Sequence, residues 1–213
     1  MKNSLSSNLL FIGLLLSGVC CAQDKPTAEK VSVKPELKMP EMPILIKQAG
    51  ITQTIEPDIG IASSDRQVSI NLLNKALADH YVLLVQTLNY HWNLVGPEFH
   101  DYHKLFDDQY TRLFEMTDTI AERVRALGGI AVGSMTGFVK TAGIKEDLGD
   151  IPAPRDMIKN LLDQYEAVIK TLRAGVNETA KDNRDTGTSN FLTDLMEKHE
   201  KTAWMLRSLL ERR

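Results

Sequence analysis

Residues 91–122 read HWNLVGPEFHDYHKLFDDQYTRLFEMTDTIAE, and the spacing of the histidines and acids in that run decides the fold. Gly96-Pro97 breaks the run, so one helix ends before it and another begins after it. On the second helix, 100° per residue brings His103, Asp107, Asp118 and Glu122 to one face. Phe106, Leu113, Thr117, Ile120 and Val124 gather on another face roughly 120° away. One face therefore packs within the chain, and the other carries metal-ligating side chains outward.

Asp107 and Asp118 are separated by ~16 Å of helical rise, too far to chelate the same ion. Laying the helix antiparallel on a copy of itself about a two-fold axis changes this, because residue i then faces residue 225 − i. His103 and Asp107 of one copy meet Glu122 and Asp118 of the other. His91 is twelve residues before His103, and the Gly96-Pro97 turn returns it to the start of the second helix. The spacing thus predicts two identical metal sites, each built from His91, His103 and Asp107 of one chain with Asp118 and Glu122 of another. Imidazole and carboxylate together suit iron, and also zinc, manganese or cobalt. The sequence has no Glu-x-x-His motif, so it is not the di-iron bundle that holds all its ligands inside one subunit.

Working outward, apolar residues recur at helical spacing over 66–95 (Leu73, Leu77, Leu84, Leu88, Val95), and Ser64 with Gln67 resembles a capping box. The second helix runs over 99–127 and stops at Gly128-Gly129. A glycine-rich connection over 128–153 holds one short helix near 137–144. Pro154 opens a third helix to about residue 179. A polar turn at 181–188 leads to a fourth helix over 189–211, with Phe191, Leu195, Trp204 and Leu209 among its apolar residues. No strand pattern competes. The expected fold is all-α, a ferritin-like four-helix bundle with a long middle crossover and an N-terminal extended arm. His80 reads as a surface or interface residue, and His100 and His199 as exposed. Trp92 reads as core, or as an oxidisable neighbour of a ligand.

The chain divides into 1–22, a signal peptide; 23–65, a Pro/Lys-rich flexible arm; and 66–213, the bundle. Lys2 precedes an apolar run, LLFIGLLL at 9–16, too short to span a bilayer, and Cys20-Cys21-Ala22 offers small residues for cleavage. Cleavage after Ala22 would leave no cysteine, and the expected destination is outside the cytoplasm, in the periplasm. Two alternatives stay open: a lipoprotein acylated at Cys20 or Cys21, the one route to a membrane here, and a cytoplasmic protein whose N-terminus is a buried helix. The arm contains Pro26, Pro35, Pro40, Pro43 and Pro57. Its lysines at 25, 30, 34, 38 and 47 are largely offset by Asp24, Glu29, Glu36 and Glu41. With a net charge of −3, the chain lacks the unopposed cations that a phosphate backbone requires, which argues against DNA binding.

The stretch Asn89-Tyr90-His91-Trp92-Asn93, then Gly96-Pro97, Phe99-His100, His103-Lys104-Leu105-Phe106, Asp118, Ala121-Glu122-Arg123 and Leu127-Gly128-Gly129 closely resembles the Dps family. These are the DNA-binding proteins from starved cells, or mini-ferritins. The resemblance covers about 57–211. It implies a hollow dodecameric homo-oligomer with ferroxidase sites at its two-fold interfaces. All five family ligand positions are filled: His91, His103, Asp107, Asp118 and Glu122. It further implies oxidation of Fe(II), with hydrogen peroxide preferred to oxygen, storage of the Fe(III) mineral inside, and protection against oxidative stress. Acids near the start of the fourth helix line three-fold pores in the family, making Asp182, Asp185 and Asp194 candidates, although Asn190 stands where an acid is often found. Two other readings compete: a nucleoid-binding structural protein with an uncleaved N-terminus, and a cage that sequesters zinc or manganese without redox turnover.

Overall fold

A computed structural model of the chain describes residues 55–147 and 149–211. The signal peptide expected at 1–22, with Cys20 and Cys21, and the arm up to residue 54 lie outside the described residues.

The described residues form helices and no strand. In chain order they are α1 (Ser63–Asn93), α2 (Phe99–Ala126), α3 (Met135–Thr141), α4 (Pro154–Ala180) and α5 (Thr186–Leu210), with a 3-10 turn at Lys181–Asn183 before α5. The four long helices and the crossover between α2 and α4 match the expected architecture, and short α3 lies in that crossover. α1 begins three residues earlier than the apolar pattern indicated. Its N-cap is Ala62, with no side-chain cap, so Ser64 lies inside the first turn and no capping box forms there. Its C-cap is Leu94, which leaves Val95 beyond the helix and 71 % exposed rather than in the apolar stripe.

α1 is the helix the others pack around. It lies against α2, α3 and α4, and residues 76–80 and 82–84 are buried without a break. The core joins Leu73, Leu77 and Leu83 of α1 to Phe106, Leu113 and Ile120 of α2, Leu161 and Tyr165 of α4, and Leu195 and Leu206 of α5. Each buried Leu, Ile or Phe contributes roughly 1.5–3 kcal/mol relative to exposure. α4 packs extensively on α5, and α1 on α2, whereas α2 and α5 touch only sparsely.

α2 ends in a Schellman motif. Gly128 N–H donates to the Arg125 carbonyl at 2.9 Å and Gly129 N–H to the Val124 carbonyl at 3.0 Å. Gly128 holds φ +82, a conformation only glycine adopts cheaply. Beyond it, buried polar side chains of α1 hold the crossover. Asn74 donates to Ile130 O at 3.0 Å and accepts from Val132 N at 2.9 Å. Asp79, fully buried, accepts from Gly143 N at 2.5 Å and Ile144 N at 3.2 Å, and its other oxygen pairs with Lys75 at 3.0 Å. Gln86 accepts from Asp147 N at 2.7 Å. Tyr81 stacks on Phe138 of α3 at 3.9 Å.

Removing Asp79 orphans two backbone N–H groups, whereas removing the partly exposed Lys75 ammonium orphans none. Asp79→Ala is expected to cost about 2–4 kcal/mol and Lys75→Ala less than about 1 kcal/mol. Thermal melts of both variants check this, and equal losses would show that the ion pair, not the backbone caps, anchors the crossover.

Candidate metal centre

The end of α1 and the start of α2 are joined by a turn in which Gly96 holds φ +126 and its carbonyl accepts from Phe99 N at 3.1 Å. Leu94 is buried at this corner, fixing the antiparallel register of the two helices. That register brings His91 against His103. Their rings stack with centroids 3.8 Å apart and 21° between planes.

The two histidines hold each other through the backbone. His91 Nδ1 lies 3.2 Å from the carbonyl oxygen of His103, and His103 Nδ1 lies 3.2 Å from that of His91. A carbonyl only accepts, so Nδ1 carries a proton in both rings, and in the neutral imidazole Nε2 is then the nitrogen with the lone pair. The His91 carbonyl is one of the last four of α1 and has no partner within that helix, so His103 also caps the helix. Metal-binding histidines are commonly oriented by such a bond from the non-ligating nitrogen.

Asp107 lies one turn beyond His103. Its carboxylate accepts from the Tyr110 hydroxyl at 2.5 Å and stands 3.9 Å from Lys104 Nζ. The Tyr110 hydrogen bond, with help from Lys104, His91 and His103, holds the Asp107 carboxyl below the usual carboxylate range, despite a smaller opposing effect of desolvation. The same bond pushes the Tyr110 phenol up. Tyr110 also meets the His91 ring edge-on at 5.1 Å, and Phe99 stacks on His103 at 4.8 Å. The structure thus stacks His91 on His103 and sets Tyr110 in contact with both His91 and Asp107, all four half-buried.

Asp118 and Glu122 lie farther along α2 and are exposed. Among the described residues, no group of three or more His, Cys, Asp or Glu side chains is gathered so as to hold a metal ion. One chain therefore presents an imidazole pair, a carboxylate joined to it through Tyr110 and, separately, two acids on the same helix face. Sequence reasoning passed over Tyr110 and Phe114. Phe114 is 64 % exposed and falls on the same face, between Asp107 and Asp118. An aromatic amid acids was the available signal. Trp92 is 70 % exposed and so is not core.

Other sequence expectations change. His80, expected at the surface or an interface, and His199, expected to be exposed, are both buried, because their two rings meet in the interior of the bundle. His80 Nδ1 lies 2.7 Å from the Ala76 carbonyl, and the two Nε2 atoms are 2.8 Å apart. His100 is exposed as expected. Asp185 is buried and cannot line a pore within this chain. It caps α5 by accepting from Thr188 N at 2.9 Å and pairs with Arg123 at 3.2 Å. Asp182 and Asp194 are exposed, Asp182 at φ +54 and Asp194 bonded to Lys198 at 2.6 Å.

A family model for the ferritin-like domain matches residues 70–213. An uncharacterized low temperature-induced protein of Nostoc sp. is 49 % identical over 154 residues, which is 72 % of this chain and 86 % of that protein. A DNA protection during starvation protein 2 of Bacillus anthracis is 36 % identical over 141 residues, 66 % of this chain and 95 % of that protein. This chain belongs to the Dps family. The crystal structure of a Dps protein from Vibrio cholerae O1, described as a member of a broad superfamily of ferritin-like diiron-carboxylate proteins, is similar with a TM-score of 0.70. It is 31 % identical, and the match covers 75 % of this chain and all of that one. The Dps fold accounts for the four long helices and the long crossover.

Burial lowers the pKa of His80 to about 4, and burial with the neighbouring His80 lowers that of His199 well below its usual value. The unfolded chain therefore binds more protons than the folded one below about pH 6.5. Stability is full above that pH and is lost as pH falls from 6.5 towards 4. Thermal midpoints between pH 7.5 and 5, a window above most carboxylate titration, should fall for the natural chain. A His80→Leu/His199→Leu double variant should show a flatter profile, and an unchanged slope would contradict the assignment.

Proposed function

We propose that this Dps protein is a ferroxidase and iron-storage protein, oxidising Fe(II) at sites shared by two copies and holding the Fe(III) mineral inside a closed homo-oligomer, a dodecamer. The observation that carries this reading is the reciprocal histidine lock, which engages each Nδ1 and leaves each Nε2 without a bond to the protein; Asp107, one turn from His103, would supply a carboxylate. Glu122 and Asp118 of a two-fold related copy would complete each site. Phe114 would lie near the axis, where a partner would cover an aromatic otherwise left in water.

Iron is the substrate here. The imidazoles suit Fe(II), and the carboxylates favour Fe(III) because their charge stabilises the more highly charged ion. Each site would take two Fe(II) and one hydrogen peroxide with two protons, giving two Fe(III) and two waters. Oxygen is the alternative oxidant. The net balance consumes peroxide by two electrons and releases no radical. Tyr110 holds the Asp107 carboxylate ionised until an ion displaces its hydroxyl. The apolar run at 9–16 supports export to the periplasm. The mixed charge of the arm weighs against DNA as a partner, although several relatives carry DNA-protection names.

The test loads the protein anaerobically with Fe(II), adds peroxide and follows Fe(III) absorbance, then asks by size exclusion whether iron travels with the oligomer. No acceleration over a protein-free control would exclude the ferroxidase. Retardation of DNA at physiological salt, with no oxidation, would favour the nucleoid-binding reading. Tight zinc or manganese binding without oxidation would favour a sequestering cage.

Two variants test the shared site directly. A His91→Ala/His103→Ala chain and an Asp118→Ala/Glu122→Ala chain should each be inactive. Co-assembled at random in equal amounts, they should recover roughly a quarter of the activity, because half of the two-fold pairs are mixed and each mixed pair keeps one intact site. No recovery would place the ligands within one chain. Separately, Phe114→Asp should shift the oligomer to smaller species in sedimentation, and an unchanged assembly would remove α2 from the interface.

A further inference from the structure

Between the start of α2 and the end of α5 lies an open cleft of about 520 Å³. Tyr102, Leu105, Trp204, Met205 and Leu209 line it, together with the acids Glu98 and Asp101. Trp204 is 60 % exposed and Leu209 40 %. At 100° per residue, the α2 residues of this cleft fall on the side of the helix opposite Asp107. A two-fold copy laid on the ligand face therefore leaves the cleft uncovered. A tryptophan and a leucine facing water in one groove mark a docking surface. Its acids are available: Glu98 forms no ion pair among the described residues, and Asp101 meets the exposed His100 at 3.3 Å.

The chain carries one segment of matching chemistry. Residues 23–54 mix charged, polar and proline residues, and their one run of three consecutive large aliphatic side chains is in Pro43-Ile44-Leu45-Ile46-Lys47. The aliphatic side chains match the apolar walls, and the lysine matches the two acids. The point where this segment joins the body is fixed. Glu56 and Ile61 are both bonded to Arg66 at the start of α1, Pro57 lies over Gly128 at the end of α2, and Ile55 is 94 % exposed. The cleft of the same copy is at the other end of α2, ~35 Å of helical rise away. Ile46 is eleven residues before Pro57. A coil of that length spans ~18 Å on average and reaches ~35–40 Å only at full stretch. Reach therefore favours the cleft of another copy.

We propose that residues 43–47 of one copy seat in the α2–α5 cleft of a neighbouring copy, with Ile44, Leu45 and Ile46 against Trp204 and Leu209 and Lys47 at Glu98 and Asp101. The segment is then a strap between copies, a contact that the two-fold face does not make. This rests on the closed homo-oligomer proposed above but not on its iron chemistry.

The test is disulfide trapping in the full chain, free of metal, after Cys20→Ser and Cys21→Ser remove its only two cysteines. Leu45→Cys with Ser208→Cys, beside Leu209, should give covalently linked chains on a non-reducing denaturing gel after mild oxidation with diamide. Leu45→Cys with Lys170→Cys, on the exposed side of α4, should link about tenfold less, because cysteines whose Cα atoms stay more than about 7 Å apart do not bridge. Lys47→Glu should lower the trapping several-fold, and the loss should shrink at high salt. In a separate chain, Trp92→Phe leaves Trp204 as the sole tryptophan. Its emission should move to longer wavelength when Leu45→Asp and Ile46→Asp are added, two changes that lie outside the body and leave its core intact. Linkage within one chain, equal linkage in the two cysteine pairs, or Trp204 emission indifferent to the two aspartates each overturns the proposal. The last result would leave the body of another copy, or solvent, over the cleft. Sedimentation of the same samples separates the strap from the assembly it rests on: an oligomer without cross-links overturns the strap alone, and a monomer overturns both.

Discussion

The antiparallel register of α1 and α2 is the constraint on which the rest of the molecule depends. It is set by a turn that needs glycine at residue 96 and by Leu94 buried at the corner. It aligns the apolar stripes of the two helices, Leu73 and Leu77 with Ile120 and Leu113, and stacks His91 on His103. A slip of one residue in either helix would rotate its side chains by about 100° and break both the core and the histidine pair. Packing and the placement of the two imidazoles are thus one requirement, which explains why a short run of sequence is informative about both.

α1 pays for its central position in polar groups. A helix buried on most sides cannot send its polar residues to water, so each needs a partner inside. Asp79, Gln86 and Asn74 find theirs in crossover backbone and Thr87 in its own helix, while His80 meets His199. The crossover has little apolar surface of its own, and these side chains supply the hydrogen bonds that its irregular backbone lacks.

Much of the fold was legible in the sequence because it rests on signals that act locally. The 3.6-residue period of Phe106, Leu113, Ile120 and Val124 marked α2, Gly128-Gly129 marked its end, and Pro154 marked the first turn of α4. The pairing of His91 with His103 was legible because a single turn separates the two residues. What depended on distant partners was not legible. His80 and His199 are 119 residues apart, and nothing near either one announces that they meet in the interior. Asp185 looked like any acid in a polar turn, yet Arg123 and the start of α5 bury it. The start of α1 was misplaced because Ser64 has the side chain of a cap but lies within the helix, where backbone bonds to Ala62 already satisfy Asp65 and Arg66.

The reciprocal bonds between each imidazole and the opposite carbonyl also affect binding entropy. Two free histidines would have to give up rotamer freedom when they close on an ion, at roughly 0.5–1.5 kcal/mol for each side chain immobilised. Here that ordering is completed when the α1–α2 hairpin folds, and it is charged to the stability of the hairpin instead. On the proposed function, an incoming ion would meet side chains whose ordering is already complete. The converse is that any substitution loosening the corner, even one remote from the rings such as at Leu94, would weaken ion capture without removing a single ligand atom.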